Sequence, residues 1–187
     1  MTLKKSDLPD LANLIEWHKQ CSNSLSYYKD YIQTLIEKNP IQVPVLFKGM
    51  STNEFEDYFG ELQGEISLLF IFYLISLTEG KIRVDFFERV EKELKDLVSK
   101  KYTGHYKKKG ASNAKEIRLE SILEIWKNYF SGNNGRINTI GEFKNRMKTR
   151  HWIAHGRYWS YSAYASYTVP NTFDKCDALL KLLPYTF

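Results

Sequence analysis

Cysteine is scarce in this chain: Cys21 and Cys176 are the only 2 among 187 residues, far apart and in no metal-like spacing. That argues against a disulfide framework and against a zinc site built on thiolates. Such usage fits a reducing, cytoplasmic setting. The opening MTLKKSDLPDL has no apolar signal region after its lysines, so no secretory leader is expected. Long apolar runs are missing as well. The longest, Ile66 to Ile75, is flanked by Glu61, Glu65 and Glu79. It is far shorter than the roughly 20 residues that span a bilayer. It reads as a buried core helix, and no membrane partner is expected. There is no internal repeat and no low-complexity tail.

What is present suits one folded unit. The length is that of an ordinary domain, and the hydrophobic fraction of 43% speaks against disorder. A single helical domain over residues 1–187 is the expectation. Charge is distributed unevenly. Residues 1–99 carry 11 Lys+Arg against 16 Asp+Glu, a net of −5, while residues 100–187 carry 16 against 6, a net of +10. A basic half of this kind is either the electrostatic footprint of a polyanion site or a solvated face with no ligand.

Helical spacing dominates. Leu11, Leu14, Ile15, His18 and then Tyr28, Ile32, Leu35, Ile36 predict one or two helices from Pro9 to Lys38, closed by Asn39-Pro40. Residues 41–49 read as an extended connector, because prolines oppose helix. Ser51-Thr-Asn-Glu54 has the spacing of a capping box and opens a long helix to Thr78, stopped near Gly80. Gly60 and Gly64 lie on one face of it and mark either a close helix contact or a kink. A further helix is expected from Asp85 to Val98, then a Lys/Tyr/Gly-rich loop over 99–113. Asn113-Ala-Lys-Glu116 caps a helix to Phe130, and Thr139-Ile-Gly-Glu142 caps another to His155, stopped by Gly156. An aromatic loop from Tyr158 to Pro170 precedes a last helix over Thr172–Leu183. The fold class is all-α, an irregular up-and-down helical bundle.

The chemistry concentrates in Arg146-Met-Lys148-Thr-Arg150-His151-Trp-Ile-Ala-His155-Gly-Arg157. Histidine can give or take a proton near neutral pH. Arginine presents a fixed fork of donors that matches a phosphate. Together they supply what RNA cleavage without metal needs: a base for the 2′-OH proton and a cation for the charge that grows on phosphorus. His151 and His155 are i and i+4, on one helix face. Arg150 is turned about 100° from His151. It joins them by swinging its stem back, by distortion of the last turn, or through a second subunit.

Arg150-His151-x3-His155, followed by Gly156, resembles the R-polar-x3-H signature of the HEPN superfamily of helical domains. The likeness covers the bundle loosely and about a dozen residues closely; nothing in residues 1–100 is diagnostic. The resemblance implies a metal-independent endoribonuclease that leaves a 2′,3′-cyclic phosphate or 3′-phosphate and a 5′-OH. It implies a symmetric homodimer with two motifs facing one cleft, and no cofactor. Many such proteins are toxins or antiviral (abortive infection) effectors, with tRNA a frequent target and an antitoxin or regulatory protein as a further partner. Carried onto this chain, His155 is the general base, Arg150 the phosphate binder, and His151 the residue that orients them or bonds the phosphate.

Each assignment has a plainer counterpart. His155 can instead be a structural cation meeting the dipole at a helix end. His151 and His155 have the i, i+4 spacing of a helix metal pair, but no Glu lies between them as in a metalloprotease helix, and no third ligand is evident. Trp152 and Ile153 read as core. Arg146, Lys148 and Arg157 guide an RNA backbone or form a charged face. Lys107, Lys108 and Lys109, beside Tyr102, His105 and Tyr106, contact phosphates or merely solubilise a loop. Tyr158, Trp159, Tyr161, Tyr164 and Tyr167 stack bases or pack on a partner. Glu65 holds Arg150 or another cation of the motif in place, or is simply exposed. The alternative function is a non-catalytic HEPN-like module that binds RNA, nucleotide or a partner protein. If residues 100–157 contact phosphates, RNA affinity falls steeply with salt, and replacing Lys107, Lys108 and Lys109 by Ala flattens the slope of log affinity against log salt. An unchanged slope in a filter-binding series assigns the three lysines to solvation.

Overall fold

The capping box at Ser51 forms in full. In the computed structural model, which describes residues 8–109, 117–157 and 167–185, the Ser51 hydroxyl accepts from the Glu54 N–H at 3.3 Å. The Glu54 carboxylate accepts from the Ser51 N–H at 2.8 Å. The helix it opens, α2 (Thr52–Glu91), is 40 residues long, about 60 Å at 1.5 Å per residue. It follows α1 (Leu11–Lys38) and precedes α3 (Leu97–Lys109), α4 (Leu119–Tyr129), α5 (Asn134–Ala154) and α6 (Val169–Leu182). Among the described residues there is no strand, and the all-α class holds.

α2 does not stop at Gly80. Leu77, Ile82, Val84, Phe86 and Val90 are all buried and keep helical spacing past it. That burial outweighs the ~1 kcal/mol that a helix-interior glycine costs. The expected helix over Asp85–Val98 is therefore two pieces: the end of α2, a turn at residues 92–96, and the start of α3. The expected loop at 99–113 is helical as far as Lys109. Val98 and Tyr102 are buried and Tyr106 packs on the core at the same spacing, a stripe concealed among lysines. Asp96 accepts from the N–H groups of Val98 and Ser99, both at 3.1 Å, and so caps α3.

Other boundaries move for similar reasons. Prolines 40 and 44 do not extend residues 39–48 but begin two 3-10 turns, Pro40–Gln42 and Val45–Phe47. α4 begins at Leu119; the cap expected at Asn113–Glu116 lies outside the described residues. α5 begins five residues before the expected cap at Thr139. Asn133 Oδ1 accepts from the Arg136 N–H at 3.1 Å and caps it, while Thr139 donates back to the Gly135 carbonyl at 3.1 Å from inside the helix. Gly60 and Gly64 mark no close helix contact: a Cβ added at either meets nothing within 4 Å, and both lie inside one continuous helix.

Two cores result. The first half of α2 packs with α1 around Ile32, Val43, Phe47, Phe55 and Phe59. The second half enters the main core with α3, α4, α5 and α6. An 18-residue stretch of α2 reaches a mean hydropathy of 1.3, enough by length and composition to cross a membrane; the run is thus longer than Ile66–Ile75 alone. Only 22% of that stretch is buried. Leu62, Ile66, Leu69 and Tyr73, at i, i+4, i+7 and i+11, form an apolar stripe on which Leu69 is 62% and Tyr73 41% exposed.

The lower end of the main core is tied by Arg89, which is 4% exposed. Its Nε donates to Asp85 at 2.8 Å, Nη1 reaches Asp96 and Ser99 at 3.2 Å, and Nη2 donates to the Pro184 carbonyl. The guanidinium also lies 5.3 Å over the Trp126 ring. Burial pushes the Asp96 carboxyl up, but the Ser99 hydrogen bonds and the Arg89 charge outweigh it and hold it below its ordinary value. Arg89→Ala takes the cation from beside the buried Asp85 carboxylate. It should lower the unfolding free energy by about 3–5 kcal/mol in a urea titration. A loss below ~1 kcal/mol would show that the chain ends do not depend on this contact.

Candidate functional site

The motif lies where α5 stops. The N–H of Arg157 donates to the Trp152 carbonyl at 3.0 Å and that of Gly156 to Ile153 at 3.2 Å. This is a Schellman closure with Gly156 at φ +76°, the left-handed conformation that favours glycine. Arg157 shares that region at φ +59°, which carries its side chain back toward α2. There Nη1 meets Glu65 Oε1 at 2.5 Å. Of the two readings of Glu65, the contact with another cation of the motif is the one that forms, on the surface, and the cation is Arg157 rather than Arg150.

His151 and His155 are both exposed. Their rings lie 6.3 Å apart and nearly parallel, at 13°. His155 is the C-cap residue, and its own N–H donates to the His151 carbonyl at 3.0 Å. Trp152 is buried and Ile153 packs on the core, so the expected anchors of the motif are in place.

Arg150 faces the other way. Its side chain is 29% exposed, with Nε 3.9 Å from Glu79 Oε2. Its guanidinium lies 5.7 Å from the Phe72 ring centroid. Glu79, 13% exposed, is held more tightly by Arg83, whose Nε donates to it at 2.8 Å. Arg83 in turn donates to the Ile117 carbonyl at 2.8 Å, tying this corner to the start of α4. The sequence names Glu79 only as a flank of the apolar run and Phe72 only as part of it, neither as a site residue. The signal for Glu79 was its place as a carboxylate within the apolar helix, where burial demands a cation.

The remaining basic residues part company. Arg146 is not on the surface: it is buried, donates to Asn171 Oδ1 and lies 4.8 Å over Tyr167. It joins α5 to α6 and is not placed to guide a nucleic acid, and Tyr167 packs under it. Lys148 is exposed and, with Lys144, Asn145 and His151, lines a groove of about 270 Å³ against Leu119, Glu120 and Leu123 of α4. Lys107 is exposed on α3, where it lines a depression with Glu93, Lys95 and Lys100 and no residue of α5. The side chains of Lys108 and Lys109 lie outside the described residues, as do Tyr158, Trp159, Tyr161 and Tyr164. Tyr102 is wholly buried, and burial with the Asp85 charge drives its hydroxyl well above the ordinary tyrosine range, so it is core. Among the described residues, no three or more His, Cys, Asp or Glu side chains group to hold a metal.

No protein-family model, curated protein or solved structure matches this chain. What the site can do is set by its own residues. The two carboxylates beside it separate by burial. Glu79→Gln should lower the unfolding free energy by about 1–3 kcal/mol, since it weakens charged hydrogen bonds in a shielded corner. Glu65→Gln should change it by less than ~1 kcal/mol, as for an exposed pair. Equal effects in urea titrations would show that burial does not set the two carboxylates apart.

Proposed function

We propose that this chain is a metal-independent endoribonuclease of HEPN type, acting on RNA and leaving a 2′,3′-cyclic phosphate and a 5′-OH. The observation that carries the reading is the exposed, parallel pair His151/His155 at the end of α5, with Lys148 one turn before it and Arg157 just beyond. Two imidazoles at that separation supply both proton transfers of the reaction. His155 takes the 2′-OH proton as the 2′-oxygen attacks phosphorus. The bond to the 5′-oxygen breaks, and that oxygen takes a proton from the protonated His151. Arg150 turns from Phe72 to the phosphate and stabilises its charge.

The apolar stripe of Leu62, Ile66, Leu69 and Tyr73 is where a second copy docks. Exposed apolar surface of this kind marks a protein contact. The stripe adjoins the motif, because α2 presents Phe72 to Arg150 and Glu65 to Arg157. The dimer brings two motifs to one cleft. A role as a toxin or antiviral effector, with tRNA as target and an antitoxin or regulatory protein as partner, goes with this reading. One observation favours a second reading, a non-catalytic RNA-binding module: Arg150 rests against Phe72 and Glu79 rather than beside the histidines.

Incubation with total RNA in EDTA, followed by end-group analysis, separates the two. Cleavage to 2′,3′-cyclic ends is expected, lowered about 10²- to 10⁴-fold in His155→Ala with RNA binding retained. Full cleavage by that variant, or activity restored only by one divalent ion, would end the catalytic assignment. Light scattering of the same preparations should give a dimer, and a monomer would remove the shared cleft.

A further inference from the structure

Lys144, Lys148, His151 and His155 recur at i, i+4, i+7 and i+11 and so line one face of α5. The groove described above runs along this face. Its floor is apolar, from Leu119 and Leu123 of α4 and Met147 of α5, all buried. Its rim is polar, from Glu120, Asn145, Lys148 and His151. His151 is the shared wall: it borders the groove and stacks toward His155.

We infer that this groove is a nucleotide subsite, taking the base of the RNA residue next to the cleaved phosphate. The inference rests on the reading of His151 and His155 as the cleavage site. Its volume of about 270 Å³ falls just below the range of about 300–1,000 Å³ that holds a drug-sized ligand, which suits a single base. An apolar floor takes the flat face of a base, and the charges are arranged for what hangs from it. Lys144 is drawn 3.7 Å from Glu124 and is partly neutralised. Lys148 remains on the rim beside His151, where a phosphate leads toward His155. Glu120 stands on the opposite rim, on α4. A carboxylate there accepts from an exocyclic amino group and repels a carbonyl oxygen. Asn145, on the α5 side of the groove, offers the donor and acceptor of an amide to a base. The subsite therefore takes adenine or cytosine in preference to uracil.

The test uses 2′-O-methyl oligonucleotides, which bind but lack the attacking hydroxyl. With methionine methyls labelled for NMR, Met147 reports on the groove, and Met50, packed on the smaller core, serves as control. Expected is a shift of the Met147 signal but not of Met50 on adding oligoadenylate, with binding about tenfold tighter than for oligouridylate. Glu120→Gln should narrow that ratio, and Lys148→Ala should weaken both oligonucleotides alike. A bound oligonucleotide that leaves Met147 unmoved overturns the subsite, as does an equal affinity for the two bases. The outcome is independent of catalysis. RNA cleaved with Met147 unmoved removes the subsite and keeps the nuclease. Met147 shifted with natural RNA left intact keeps the subsite and removes the nuclease.

Discussion

The second half of α2 is apolar over most of its circumference, and that constraint organises everything around it. Leu74, Ile75, Ile82 and Phe86 are each at or near full burial. A helix with so wide an apolar surface cannot rest on one neighbour and must be enclosed. α3, α4, α5 and α6, with the start of α1, are what enclose it. Their amphipathic faces follow: α4 buries Leu119, Ile122, Leu123 and Trp126 at strict helical spacing. Two charged pairs of α2 are drawn into this enclosure. Asp85 and Arg89 meet one turn apart near the end of α2, and Glu79 meets Arg83 one turn apart higher up.

The same enclosure decides how the motif is presented. α5 must give α2 a face, and successive side chains on a helix turn by about 100°. Arg146, Met147, Thr149 and Trp152 are therefore buried, Arg150 falls at the edge of the contact, and His151 and His155 face outward. A run of six basic or imidazole side chains that looks continuous in sequence separates in space, and Arg157 turns back to Glu65. One buried arginine joins helices, one half-buried arginine lies on the Phe72 ring, and an outward stripe leads to the stacked histidines.

The helical class, the capping box at Ser51 and the stop at Gly156 were legible in the sequence, because each depends on local chemistry: spacing, a side chain reaching its own backbone, a glycine at positive φ. The continuation of α2 through Gly80 was not, since the penalty is local while the compensating burial of Ile82 and Phe86 comes from distant helices. α3 was concealed because its lysines outnumber its apolar residues, and only Val98, Tyr102 and Tyr106 show the stripe. At the site, the histidine pair followed from i, i+4 spacing. The partner of Arg150 did not, because Glu79 is 71 positions away and its approach depends on how α5 crosses α2. Glu65 was visible as a carboxylate at the start of the apolar run, but its pairing with Arg157 depends on the left-handed turn that reverses that side chain.

The resting position of Arg150 bears on the choice between a nuclease and a binder, and magnitudes decide how firmly it is held. A cation over an aromatic face in a partly exposed site contributes about 0.5–1 kcal/mol. The ion pair at 3.9 Å is longer than a hydrogen bond, and its two atoms, Arg150 Nε and Glu79 Oε2, are buried with no hydrogen-bond partner. Glu79 keeps its tighter partner, Arg83, at 2.8 Å on Oε1, so departure of Arg150 leaves the carboxylate paired on one oxygen. A phosphate offers the guanidinium two parallel charge-assisted hydrogen bonds, each about twice as strong as a neutral one. On the proposed reading, RNA arriving at the histidine pair therefore draws Arg150 off Phe72 at small cost. Arg146 differs in kind: it is buried and bonded to Asn171, and moving it would part α5 from α6. Of the two arginines on this helix that point inward, only Arg150 is held loosely enough to serve a phosphate.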